Sequence, residues 1–242
     1  MPSFHADFDT NSSEITLSEE ETHHASNVFR HKIGDIISLI NGKGLKANAI
    51  IKSSTKKNLI LDINQISHSQ IQIPKAACAF SLLKNKHDLL IIEKLTELGV
   101  SDLFPLTTKH SVKLSGENTI EKMKKTALAA AKQCDNAWIP EIHKVNNITN
   151  SIDYIISKGY IPIIASETMP DLSLFDIIKH NDSTQGYCII IGPEGGFDPS
   201  EFELFQKKNI PQVSISKNIL RAETAAICAT SQIMLCYSLL NP

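Results

Sequence analysis

The feature that most constrains this 242-residue chain is a regular alternation of strand and helix patterns from about residue 76 to the C-terminus. Each short apolar run is followed by a longer segment with helical periodicity. Strands are predicted at 76–83, 102–107, 140–145, 161–166, 187–191 and 212–216, and helices at 86–98, 117–134, 148–158, 172–180, 199–208 and 222–240. This alternation predicts an α/β domain with a parallel sheet and helices on both faces.

The first part of the chain has a different pattern. A capping-box signature over residues 18–21 predicts a short helix that runs to about His31. Strand patterns follow at 36–40, 47–53 and 59–66, which is typical of a small β-barrel. The polar stretch 67–70 is the predicted linker. We therefore expect one domain over residues 1–72 and a second over 73–242.

Cysteine usage and the N-terminus indicate where the protein works. Five cysteines are scattered without a C-x-x-C pair, and most lie in apolar surroundings, which predicts reduced core residues and a cytoplasmic protein. Residues 1–7 lack the basic and apolar regions of a signal peptide, and no apolar run is long enough to span a bilayer. The spacing of His and Cys does not suggest a metal site, so we expect no metal.

Charge is distributed unevenly, although the net charge is only −2. Residues 1–27 contain acids and no Lys or Arg, whereas the strand-rich segment 28–74 is basic. Its basic residues are Arg30, Lys32, Lys43, Lys46, Lys52, Lys56 and Lys57. Such a cluster predicts a phosphate-facing surface, with ordinary solvated faces as the alternative for any single lysine.

A glycine-rich loop follows the predicted strand 187–191. It reads Gly192-Pro193-Glu194-Gly195-Gly196 and leads into a strong helix start at 198–201. The fingerprints of dinucleotide and triphosphate sites are missing, and Glu194 would repel a phosphate. The loop therefore suits a ligand without phosphates that is contacted through backbone groups, or else it is a plain strand-to-helix turn.

Two other segments follow strand ends in the same way. Ser166 and Glu167 come after the apolar run 161–164, and residues 219–226 carry an isolated Arg and Glu through an apolar stretch. In open parallel sheets, ligands bind outside the carboxyl ends of the strands. The three segments are therefore expected to form one site.

Together these segments resemble the SPOUT superfamily of S-adenosylmethionine-dependent RNA methyltransferases, and in particular the RsmE-like family, which methylates uridine N3 in 16S ribosomal RNA. The signature pair is Ile191-Gly192-Pro193-Glu194-Gly195-Gly196-Phe197 with Glu201, and Ile219-Leu220-Arg221-Ala222-Glu223-Thr224-Ala225. Further similar positions are His23, His24, Val28, Arg30, Lys84, 93–100, Gln133 and 140–142. The resemblance covers about residues 18–230.

The resemblance implies a PUA-like β-barrel followed by a SPOUT α/β domain whose chain forms a deep trefoil knot. It also implies a homodimer in which the subunit interface completes each active site. The implied cofactor is S-adenosylmethionine. The residues implied to bind it are Ser166, Glu167, Gly192, Pro193, Glu194, Gly195, Gly196, Ile215, Ser216, Leu220, Arg221, Thr224 and Ala225.

The implied reaction assigns roles to further residues. Arg221 is expected to position or stabilise the uracil anion at O2 or O4, and Glu223 is expected to have a capping or orienting role. Two alternatives stay open: the proton is lost to water, and Arg221 forms an ion pair with Glu194 or Glu223. The expected partner is 16S rRNA, within the 30S subunit, with no membrane. The residues expected to contact RNA are Arg30, Lys32, Lys56, Lys57, Lys84 and Lys94.

Several charged positions depart from the family pattern. Lys109-His110-Ser111 stands where relatives show Glu-Arg-Ser, and the segment 132–138, with Lys132 and Asn136, stands where they show Glu-Gln-x-x-Arg. Ser216 replaces a glycine. These changes concern substrate contacts more than cofactor contacts. The alternatives to an active methyltransferase are an RNA-binding assembly factor with weakened methyl transfer and, less in keeping with the motifs, a nucleotide-binding α/β enzyme of another class.

Overall fold

The computed structural model describes residues 3–55, 57–71, 73–112, 115–167, 172–179 and 185–240. The chain divides into two compact units, one made of residues 1–71 with 127–139 and the other of residues 72–126 with 140–242. Residues 127–139, which the sequence places in the second domain, thus group with the first unit. The domain boundaries at 72 and 73 stay a prediction.

The first unit contains a five-stranded sheet in the order β1-β3-β4-β5-β2. The strands are β1 (Phe4–His5), β2 (Glu14–Thr16), β3 (Ile36–Ile40), β4 (Leu45–Ser54) and β5 (Leu59–His68). Strands β3, β4 and β5 form an antiparallel meander, and β1 runs parallel to β3. Alternate residues of β4 are buried, so one face of the sheet covers an apolar core.

The helix of the first unit is shorter than predicted. Helix α1 (Glu19–His23) begins at the N-cap Ser18, whose Oγ accepts the N–H of Glu21 at 3.2 Å. The chain then widens into a π-helical turn, His24–Val28, and does not continue to His31 as a regular helix. The predicted linker is also corrected, because Ser67 and His68 belong to the end of β5.

Trp138, the only tryptophan of the chain, is held within the first unit. Its indole N–H donates to the carbonyl of Ser69 at 2.9 Å. The ring lies so close to Gly44 that an added Cβ would come within 2.3 Å of it, and Gly44 has a φ of +98°. Only glycine suits this position, because both the space and the backbone conformation exclude a side chain.

The second unit contains a parallel sheet in the order β12-β10-β11-β6-β7-β8, with β9 also paired to β7. Its strands are β6 (Ala76–Ser81), β7 (Asp102–Thr107), β8 (Glu141–Ile142), β9 (Asn146–Asn147), β10 (Tyr160–Ala165), β11 (Gly186–Ile191) and β12 (Gln212–Val213). Every residue of β6 and β11 is buried, as expected for the central strands of a sheet covered on both faces.

The described residues form six further helices, of which α3 continues into the first unit: α2 (His87–Glu97), α3 (Thr119–Gln133), α4 (Ile148–Ser157), α5 (Leu174–Ile178), α6 (Pro199–Lys207) and α7 (Ala222–Leu240). Ala77 and Cys188 share a core cluster with residues of α4 and α6. At the alternate position on β11, the ring of Tyr187 lies against that of Tyr237 on α7, with centroids 6.1 Å apart. Helices therefore cover both faces, as predicted.

Two strand predictions are corrected. Within the strand expected at 140–145 only the two residues of β8 form a strand, and the short strand β9 begins just after that range. The strand expected at 212–216 ends at Val213. The threading of the chain through a knot stays a prediction. None of the helices in the described part of the chain is both long and apolar enough to cross a membrane.

A buried polar network lies at the amino-terminal ends of β7 and β10. Oδ1 of Asp102 is 2.7 Å from Nε2 of His143, and the hydroxyl of Tyr160 donates to the other carboxylate oxygen. The ring of His143 stacks on Phe104 with centroids 4.2 Å apart. Burial raises the pKa of Asp102, but the hydrogen bonds from His143 and Tyr160 outweigh it and leave the pKa below its usual value.

Candidate functional site

A cavity of about 790 Å³ opens beyond the carboxyl ends of neighbouring strands in the second unit. Its walls come from Asn85 and His87 after β6, 165–167 at the end of β10, 191–197 at the end of β11, and the segment between Ile215 and Ala225 after β12. Because β12, β10, β11 and β6 are adjacent in the sheet, loops that are distant in sequence meet here.

All the residues predicted to bind a cofactor line this cavity except Thr224, which is exposed and does not contribute to the wall. The three segments therefore meet at one cavity, as the strand-end rule predicted. Their role in cofactor binding stays a prediction.

The glycine loop after β11 packs on an aromatic cluster. An added Cβ at Gly192 would come within 3.0 Å of the ring of Phe197, which meets Phe205 edge-on with centroids 5.0 Å apart. The loop ends at Asp198, which forms a capping box with Glu201 at the start of α6. A side chain at Gly192 would thus push the loop away from its support.

The loop after β7 braces the glycine loop. Nδ1 of His110 is 3.2 Å from the carbonyl oxygens of both Gly195 and Gly196. Nζ of Lys109 donates to Oδ1 of Asp198 at 3.0 Å, and its backbone N–H donates to Oε1 of Glu201 at 3.0 Å. Lys109 and His110, which depart from the family pattern, therefore hold the cavity wall from behind.

The ionised carboxylate of Asp198 is one partner in this brace. Hydrogen bonds from Ser200 and then from Lys109 hold the pKa of the Asp198 carboxyl well below its usual range. The carboxylate is consequently ionised at neutral pH, and it caps the first turn of α6 in its charged form.

Arg221 and Glu223 lie at the start of α7 and have different surroundings. The Arg221 side chain is exposed and makes no hydrogen bond or ion pair with any residue that the structure describes. Glu223 is only 8% exposed, and its Oε1 is 3.2 Å from Nδ1 of His87. Neither Glu194 nor Glu223 pairs with Arg221, so the guanidinium remains available at the cavity wall.

The sequence interpretation missed Phe202 of α6 and the two wall residues Asn85 and His87. Asn85 and His87 follow the carboxyl end of β6, so the same strand-end rule could have found them. His87 orients the carboxylate of Glu223. Asn85 has a φ of 55°, in the left-handed region, and forms the turn into α2.

The residues predicted to contact RNA are distributed over both units. Arg30, Lys32 and Lys84 are exposed, while Nζ of Lys57 is 3.8 Å from a carboxylate oxygen of Glu19. Nζ of Lys94 forms ion pairs with Oε1 of Glu93 at 2.7 Å and Oε1 of Glu97 at 2.8 Å. These pairs raise the pKa of Lys94 and neutralise its charge locally. Lys56 lies outside the described residues. Their contact with RNA stays a prediction.

Comparison with known proteins assigns the family. A model of the RNA methyltransferase domain matches residues 70–234, and one of the RNA methyltransferase PUA domain matches residues 17–64. A curated relative from Rickettsia conorii, named ribosomal RNA small subunit methyltransferase E, is 31% identical over 219 residues, which cover 90% of this chain and 88% of the relative. The chain belongs to the methyltransferase E family.

Solved structures show that the methyltransferase E fold extends over the whole chain. A Neisseria gonorrhoeae ribosomal RNA small subunit methyltransferase E, bound to S-adenosyl methionine, is 21% identical with a TM-score of 0.87 and 97% of both chains covered. A putative Legionella pneumophila methyltransferase in complex with bound SAM is 25% identical with a TM-score of 0.85 and 96% of both covered. The predicted fold, a PUA domain plus a SPOUT α/β domain, is confirmed.

Proposed function

We propose that this protein transfers a methyl group from S-adenosylmethionine to N3 of a uridine in 16S ribosomal RNA. The observation that carries the proposal is the cavity at the carboxyl edge of the sheet, where the two motif segments meet with Arg221 at the wall. The family supports methyl transfer to small-subunit ribosomal RNA. The choice of uracil N3 rests on the resemblance of the motifs.

The residues of the cavity suit S-adenosylmethionine. A volume of about 790 Å³ is within the range of pockets that hold molecules of this size. The carboxylates of Glu167 and Glu194 line the wall, which favours a ligand that carries positive charge and no phosphate. Residues 192–196 and Ser166 would hold the ligand mainly through backbone groups. The Legionella relative contains this cofactor.

Arg221 is the residue that we assign to the chemistry. Uracil N3 carries a proton that has to leave, in this proposal to a water molecule, before the nitrogen can attack the methyl group, and the negative charge then spreads to O2 and O4. S-adenosylmethionine supplies an electrophilic methyl group. The unpaired guanidinium of Arg221 can donate two hydrogen bonds to the developing anion and hold the ring in line. Glu223, paired to His87, positions the start of α7, which Arg221 directly precedes.

The test is an assay with purified protein, unmodified 30S subunits and methyl-labelled cofactor, with the product located by mass spectrometry. We expect N3-methyluridine at one position of 16S rRNA. Methylation at another atom would overturn the choice of N3, and tight cofactor binding without any methyl transfer would favour the assembly-factor alternative.

The brace behind the glycine loop leads to a prediction. Replacing His110 with alanine removes the hydrogen bond to the carbonyls of Gly195 and Gly196, and we expect the Kd for S-adenosylmethionine to rise about fivefold, in line with about 1 kcal/mol for one hydrogen bond. Isothermal titration calorimetry measures it. His68→Ala, at an exposed histidine at the end of β5, is the control and should not change the Kd. An unaltered Kd in His110→Ala would remove the brace from cofactor binding.

We also propose that the protein acts as a homodimer. Leu235, Leu239 and Leu240 on α7 are 58%, 63% and 40% exposed in the single chain. An exposed apolar strip on a long helix favours association with a second copy. Light scattering at assay concentrations should give the mass of two chains.

A further inference from the structure

The first unit exposes an unusual amount of apolar surface in one short segment, residues 28–36. Val28, Phe29, Ile33 and Ile36 are 58%, 45%, 63% and 61% exposed. We call this segment the apolar-basic loop, because Arg30 and Lys32 stand between these residues. Exposed apolar side chains that cluster in this way mark interaction sites more often than isolated ones do.

The apolar-basic loop is held in one conformation. The N–H of Lys32 donates to Oδ2 of Asp35 at 2.8 Å, and the N–H of Gly34 donates to the carbonyl of Ile51 at 2.8 Å. The N–H of Ile51 donates in turn to the carbonyl of Asp35 at 3.0 Å. The loop is therefore tied to β4, and its apolar side chains are presented to solvent by a fixed backbone.

Arg30 occupies a backbone conformation that its side chain disfavours. Its φ is 59°, in the left-handed region where glycine is the usual residue. The N–H of His31 donates to the carbonyl of Ala25 at 3.0 Å, which closes the π-helical turn around this position. Arg30 therefore occupies a position where a glycine would relieve the backbone, so the role of its side chain can be tested separately from folding.

Three rings support the exposed face of the loop. Phe29 and His31 are stacked with centroids 6.2 Å apart and planes 26° apart. Phe4, which is only 3% exposed, meets both rings edge-on at 5.7 Å and 5.9 Å. Phe29 is thus fixed from below and leaves nearly half of its surface open, which suits a flat ligand.

The charge of the loop is positive and largely uncompensated. Within the described ranges of the chain, neither Arg30 nor Lys32 forms a salt bridge with a carboxylate, although the positive charge of Lys32 contributes to the lowered pKa of Asp35. Asp35 is the acidic residue of the loop. Its Oδ2 accepts the backbone N–H of Lys32 and lies 3.5 Å from Nδ1 of His31. Two exposed cations beside an aromatic face favour an anionic, flat ligand.

We propose that the apolar-basic loop holds an unpaired nucleotide of the RNA substrate, with the base stacked on Phe29 and the flanking phosphates bound by Arg30 and Lys32. This inference rests on the proposed function for the nature of the ligand. Single-stranded RNA is recognised by stacking on aromatic side chains within a basic groove, whereas the centres of protein interfaces are depleted of lysine. The alternation of cations and apolar residues therefore fits RNA better than a protein partner.

The experiment measures fluorescence anisotropy of the full chain with a labelled oligouridine of about 12 nucleotides and with an RNA duplex of the same length. Phe29→Ala should weaken oligouridine binding about tenfold and leave duplex binding within about twofold, and Phe29→Trp should restore binding. Ile156→Ala on α4, at an apolar residue 48% exposed, is the matched control and should change neither affinity.

Arg30→Gly separates binding from folding. Glycine relieves the left-handed backbone, so the midpoint of thermal unfolding should rise by about 2 °C. The same change should weaken oligouridine binding and reduce the slope of log K against log salt by about 0.7. A more stable variant that binds RNA less well is the outcome expected for a residue retained for its ligand.

Two results would overturn the assignment. Oligouridine affinity unchanged in Phe29→Ala would remove the stacking platform. A loss seen only with intact 30S subunits, and not with oligouridine, would show that the loop does not hold an unpaired nucleotide. The proposed function fails separately, because calorimetry with S-adenosylmethionine and the methylation assay do not depend on oligouridine binding.

Discussion

Arg221→Ala should lower the rate of methyl transfer to 30S subunits about 10²- to 10³-fold, while the Kd for S-adenosylmethionine stays within about threefold. The guanidinium lies at the cavity wall and is not bound to a carboxylate among the described residues, so its hydrogen bonds are free for the substrate. Loss of a donor that acts on a developing anion appears in kcat and only weakly in cofactor affinity. Single-turnover rates and calorimetry measure the two quantities.

Two other variants make the result specific to Arg221. Arg221→Lys keeps the charge but loses the planar pair of donors, so we expect an intermediate rate. Lys217→Ala, at an exposed cation on the same segment that does not line the cavity, should retain the wild-type rate within about threefold. Full activity in Arg221→Ala, or equal losses in Lys217→Ala and Arg221→Ala, would contradict the mechanism.

Asp102→Ala should lower the free energy of unfolding of the second unit by about 3 kcal/mol. Asp102 accepts hydrogen bonds from His143 and Tyr160, which are both buried and lose their acceptor in the variant. Glu141→Ala is the control, because that side chain is 60% exposed although it lies 3.5 Å from Nδ1 of the same histidine, and it should cost less than about 1 kcal/mol. Urea titrations followed by circular dichroism compare them.

The stabilisation of the folded protein by the Asp102 carboxylate should be lost as the pH falls. Its pKa in the folded protein is lowered, whereas an unfolded chain has an aspartate pKa of about 3.9. The stabilisation is therefore fully present above about pH 4 and is lost as the pH falls through the folded pKa. The difference in stability between the wild type and Asp102→Asn should stay constant from neutral pH down to about pH 5 and shrink below pH 4. A difference that grows towards acid would contradict this assignment.

The sequence predicted the elements that long periodic patterns determine. Strand β7 and the final helix α7 begin and end where the pattern placed them. Strands β1 and β2 were not predicted, because two or three residues carry no readable alternation. The π-helical turn after His23 was missed for another reason, since a change in hydrogen-bond register leaves the side-chain pattern of a helix nearly unaltered.

The part of the candidate site that follows directly after strand ends could be predicted from the sequence. Ser166 and Arg221 are far apart in sequence, yet the order of the strands brings both to one cavity. The brace formed by Lys109 and His110 was read only as a departure from the family, because nothing in the sequence shows that the loop after β7 meets residues 195–201. The Asp102 network was missed because its members come from separate strands and share no spacing.

The packing of Trp138 against Gly44 makes the first unit optically distinguishable. As the sole indole of the chain, fixed within that unit and hydrogen-bonded to Ser69, it dominates the emission excited near 295 nm. Its red shift on exposure to water reports the unfolding of the first unit, whereas far-ultraviolet ellipticity is weighted towards the helices of the second. A denaturation curve recorded with both signals from one sample therefore reveals whether the two units melt as one cooperative unit.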